Sequence, residues 1–189
     1  MPRILIILAG LFLVVLFFQP MWRITLLAPQ YPDGVHMYIS IDKIGGKTPG
    51  TLQNVNILNH YIGMKPIEPD SIKELTYFPY FVAGFSLLAL LTGLINWKPL
   101  YIIWLGLFSI ALVLAMYDFY LWEYDYGHNL AENAPMKFEG ESFQPPLFGS
   151  KTLLNFVAQS YPHVGGYFMA GSLLLAAFAT YLKTKKIPA

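Results

Sequence analysis

Histidine and methionine are the residues of this chain whose types and spacing could do chemistry beyond packing. His60 and Met64 stand four positions apart, where Leu52, Val55, Leu58 and Ile62 recur at helical spacing. On a helix the two side chains would lie on one stripe with Asn56, aimed at one object. Imidazole with thioether suits Cu(I), and imidazole also accepts Cu(II) or zinc. The same pair suits a hydrogen-bonded histidine at a domain edge and a methionine filling a core. His36-Met37 is a second such neighbourhood, but successive strand residues face opposite sides, so only one of them could ligate from a regular strand. His128 follows an acidic stretch with Glu123 and Asp125, and could join His60 as a third ligand, oriented by Asp118 or Asp125. Locally, a loop histidine bonding a backbone carbonyl or Asp125 explains it better. His163, ahead of Gly165-Gly166, is accounted for by capping or interfacial solvation. Asp118 stands about one turn before Trp122: inside a bilayer it would be functional, and beyond it merely solvated.

Other chemistries lack their residues. There is no Gly-rich phosphate loop, nucleophile elbow, HExxH pair or CxxCH haem attachment, and no His lies deep in an apolar stretch to hold a haem. Cysteine is absent, which removes disulfides, thiolate metal sites and lipoprotein acylation. Neither catalytic residues nor a nucleic-acid partner is expected.

The elements that must position the candidates are set by a bilayer. Hydrophobic residues make up 56% and charged residues 12% of the 189, too apolar for an ordinary soluble domain. Apolar stretches at 4–18, 78–97, 100–122 and 164–182 approach the ~20 residues needed to cross the hydrocarbon core. Arg3, Lys98, Lys183, Lys185 and Lys186 flank them on one side without an acid, whereas the acids from Asp33 to Glu141 fall on the other, Asp118 being near the end of the third stretch. The positive-inside bias then predicts four transmembrane helices, 1–20, 77–97, 100–122 and 163–183, in an inner (cytoplasmic) membrane with both termini on its cytoplasmic side. Segments 21–76 and 123–162 lie outside. A cleavable signal peptide is the competing reading of the start. No small-x-small pattern follows Phe18, and Trp22-Arg23 suit an interfacial anchor.

The outer segments should form a small mixed α/β cap. Trp22, Ile24 and Leu26, then Val35, Met37, Ile39 and Ile41, alternate with polar residues as two strands. Pro29 and Pro32-Asp33-Gly34 punctuate the connection, and Gly45-Gly46 marks a closing turn. The 52–62 helix follows. Ser71-Ile-Lys-Glu74 has capping-box spacing, Pro79 suggests a kink, and Ser150 could cap a helix to about Ser160.

Taken together, Ala28-Pro-Gln-Tyr-Pro-Asp-Gly34, Leu58-Asn-His-Tyr-Ile-Gly-Met64, Tyr124-Asp-Tyr-Gly-His-Asn-Leu130, Gln144-Pro-Pro and Leu154-Asn-Phe…Ser160-Tyr-Pro carry a resemblance. The chain resembles the small membrane proteins associated with clade II nitrous oxide reductase gene clusters. The resemblance implies an accessory role in maturing, supplying copper to, or docking an extracytoplasmic copper enzyme, with His60, Met64 and His128 inside the matching motifs. A metal-free scaffold holding the enzyme, and an electron-transfer subunit for it, are the alternatives.

Overall fold

A computed structural model describes residues 1–132, 134–135 and 142–185. Three of its helices, α3 (Glu74–Ile95), α4 (Lys98–His128) and α5 (Val164–Thr184), are long and apolar enough to cross a membrane. The expected first span is shorter. Helix α1 (Pro2–Val14) ends in a 3-10 turn over Val15–Phe17, about 24 Å in all at 1.5 Å per residue. Helix α4, with 31 residues, reaches about 46 Å and outruns the ~30 Å hydrocarbon layer. Its aromatic and acidic end thus stays helical where the sequence suggested an exit near 122.

Helix α1 is the centre of the bundle, packed against α3 and α5. Its closeness depends on Gly10, where a Cβ would fall 2.9 Å from both the Ala89 Cβ and the Ser86 carbonyl oxygen. The core joins Ile6, Ala9 and Leu13 to Ala89, Tyr101, Trp104, Phe108, Ala176 and Ala179. Between α3 and α4 the chain reverses at Asn96, left-handed at φ 54°, whose N–H bonds the Thr92 carbonyl at 2.9 Å. Pro99 opens α4, where a missing N–H costs nothing. Lys183 stands over the Tyr101 ring, 5.9 Å from its centroid, and the Arg3 carbonyl abuts Gly93. Arg3, Lys98 and Lys183 therefore gather at one end, whereas the cap segments carry residues of both signs. Exposed Tyr77, Tyr80, Tyr117 and Tyr120 ring the opposite end, and Trp97 and Tyr181 the basic one, as amphipathic rings do at bilayer interfaces.

Beyond the tyrosine ring sits the cap. Its antiparallel sheet has the order β3-β2-β1-β5-β4, from β1 (Trp22–Ala28), β2 (Tyr31–Ile39), β3 (Ile44–Gly46), β4 (Gly149–Leu153) and β5 (Phe156–Pro162). The alternation expected of the first two strands holds. Ile24, Leu26, Val35 and Met37 are buried under the sheet, and His36 pairs with Thr25 on the opposite face. Two punctuation signals are absorbed into strands: the turn falls at Pro29-Gln30, leaving Pro32-Asp33-Gly34 inside β2, and Gly45-Gly46 pairs with β2 as part of β3.

The helix expected from Ser150 is a hairpin instead. Phe156, Val157 and Tyr161 favour strands, and pairing with β1 satisfies a whole ladder where a cap satisfies one donor. Ser150 Oγ lies 3.3 Å from the Tyr161 hydroxyl across that hairpin. The capping box is likewise absent: Ser71 Oγ donates to the Glu68 carbonyl at 2.8 Å within a 3-10 turn opened by Pro69, and α3 begins only at Glu74. Helix α2 (Thr51–Tyr61) and the end of α4 cover the inner face of the sheet, where Leu52, Val55, Leu58, Phe119, Trp122 and Tyr126 join its core.

Candidate functional site

The decisive local event is the end of α2. Ile62 caps the helix and Gly63 takes φ 78°, so the Met64 N–H turns back to the Asn59 carbonyl at 2.9 Å. Met64 is thereby carried off the helical stripe it would have shared with His60. His60 is exposed and lines an outward groove with Leu52, Gln53, Asn56, Ile57 and Tyr61. Met64 packs inward beneath the sheet. The returning segment is pinned by Asn56, which accepts from the Ile67 N–H at 2.7 Å and donates to its carbonyl at 3.1 Å, and by the Tyr126 hydroxyl, which donates to the Pro66 carbonyl at 3.1 Å.

His128 sits in the last turn of α4, exposed, its ring stacked on Tyr124 with centroids 3.9 Å apart. Its Nδ1 donates to the Tyr124 carbonyl at 3.0 Å, leaving Nε2 unengaged by that bond. Asp125 does not orient it. That carboxylate pairs with Lys65 at 2.8 Å and accepts from the Asn129 amide. Asp118 is exposed on the α4 surface and unburied by the bundle. His36 Nδ1 lies 2.9 Å from Thr25 Oγ1, on the sheet face away from Met37. His163 caps α5 from an extended conformation, its ring edge-on to Tyr38 at 5.0 Å. Burial, and then the Arg23 charge, hold its imidazole below the ordinary histidine value. Among the described residues, no three His, Asp or Glu side chains gather as a metal-binding group.

The residue that sequence reasoning passed over is Glu123. It is wholly buried, and neither carboxyl oxygen has a hydrogen-bond partner among the described residues. The signal was present in its position: Glu123 stands four after Phe119 and three before Tyr126, on the apolar stripe of α4. It lines a cavity of about 40 Å³ beneath the sheet, together with Met37, Met64, Asn59, Trp122 and Tyr126. That volume admits a water or a single ion. Met64 thus shares its surroundings with Met37 and Glu123, while His60 faces the outer groove.

No protein-family profile, curated protein or solved structure matches the chain.

Proposed function

We propose that this protein is a membrane accessory factor for an extracytoplasmic copper enzyme, nitrous oxide reductase by resemblance, acting in copper delivery and maturation or in docking. The observation that carries the reading is that all five resembling motifs fall in the cap or in the α4 turn beneath it, at the end away from Arg3, Lys98 and Lys183. In this reading α1 crosses the membrane as a fourth helix, with its neighbours thinning the layer around it. Both termini are cytoplasmic and the cap is outside. His60 and His128 offer exposed imidazoles, and Met64 an inward thioether; the three would engage copper in succession, since they do not share a pocket.

A metal-free docking scaffold is the second reading, favoured by the outward groove, where Ile57 and Tyr61 remain 45% and 48% exposed. Two measurements separate the readings. Co-purification in mild detergent should capture the copper enzyme under either one. Copper analysis after Cu(I) loading should find metal only under the first. Failure to capture any copper enzyme would remove both.

A further inference from the structure

The cavity beneath the sheet combines three features. It is enclosed by apolar side chains, it is lined by two methionines, and it holds a carboxyl with no partner among the described residues. Ionisation of a carboxyl in such surroundings calls for a counter-charge, and none of the described residues lining the cavity is basic. A bound cation would supply it, and without one the carboxyl stays protonated. Sodium, potassium, calcium and magnesium require several oxygen ligands, and the described lining offers only the Glu123 carboxyl, the Asn59 side-chain amide and the Tyr126 hydroxyl. Zinc favours imidazole or thiolate, and neither is among the described residues of the lining. Thioethers select soft monovalent ions, and the thioether does so without an oxidisable thiol.

We propose that Met37, Met64 and Glu123 form an interior site for one dehydrated soft monovalent cation, Cu(I) or its redox-inert counterpart Ag(I). One carboxylate balances one positive charge, and the cavity of about 40 Å³ leaves room for a single ion. The site stands on the cavity alone, whether or not a copper enzyme docks on the cap. It also differs from a surface site: His60 and His128 lie outside it.

The test is calorimetric titration of the full-length protein, in mild detergent, with Ag(I). The parent should take up one equivalent tightly. Glu123→Gln, which keeps shape, and Met37→Leu and Met64→Leu, which keep volume, should each weaken that binding at least about tenfold. His36→Ala, on the opposite face of the sheet, should leave it unchanged, and the double variant His60→Ala/His128→Ala reads any contribution of the surface imidazoles separately. The Met variants decide the matter if the Gln variant does not fold. Absence of tight binding in the parent overturns the proposal, and the cavity then holds a water on Glu123. Binding that survives the three cavity variants but vanishes with the two histidines overturns it equally, in favour of the surface imidazoles.

Discussion

Glu123 imposes a cost on the fold that none of the described side chains around it offsets. An unpaired carboxylate in an apolar cavity is expensive, and keeping it neutral forgoes the ionisation it enjoys in the unfolded chain at neutral pH. Replacing it with Met should raise stability by about 1–3 kcal/mol, seen as a higher thermal midpoint in detergent without added metal. A lower midpoint would mean that the carboxyl has a structural partner. His163 sets a pH dependence of opposite character. Its folded value lies below the ordinary 6.5, so between the two values the native state binds fewer protons than the unfolded one. Stability from this residue is full above about 6.5 and is lost as pH falls through that window. His163→Gln should flatten the midpoint between about pH 5 and about pH 7.5; an unchanged slope would assign the effect elsewhere. The apolar stripe that carries Glu123 was legible in the sequence, but not which distant segments bury Glu123 or His163, because burial of one side chain depends on what covers it. For His60 and Met64 the limit was a single dihedral: spacing alone could not reveal that Gly63 ends the helix between them.

At the level of elements, Gly63 is the hinge that separates an outward imidazole from an inward thioether. It adopts φ 78°, and a Cβ there would meet the Ala134 Cβ at 2.9 Å and the Ala131 nitrogen at 3.2 Å. Its carbonyl also accepts the Ala131 N–H at 2.8 Å. Gly63→Ala should destabilise the cap by about 1–2 kcal/mol from the left-handed conformation alone, with more from the clash. Limited proteolysis around 129–135 should speed up accordingly, and an unchanged rate would show that this contact does not hold the loop. The strands β1 and β2 and the helix α2 were readable because period and punctuation agreed within each segment. The β4–β5 hairpin was not. Ser150 signalled a helix start locally, and the stronger demand came from β1, which needed a second neighbour to complete its hydrogen bonding.

For the whole molecule, the apolar runs and the charge segregation made the helical membrane class legible, since both act over tens of residues. The first run was the weak one, and in the structure it is the short α1, held at the centre by α3 and α5. The proposed topology predicts that cysteines at Gly50 and Asn155 react with an impermeant thiol reagent in intact cells, and that one at Asn96 does not. Labelling of Asn96→Cys would reverse the orientation and remove the extracytoplasmic role. The pairing of β1 with β5 reaches further than stability. Trp22 Nε1 donates to Ser160 Oγ across 138 positions of chain, at 2.7 Å. A ribosome delivers β1 long before its partner exists, so one edge of the nascent sheet waits, unzipped, while α3 and α4 enter the membrane. That interval is an opening for a chaperone, and for error. It also makes the protein divisible: two polypeptides cut between α3 and α4 and expressed together should find each other through that seam and through the packing of α1 on α5.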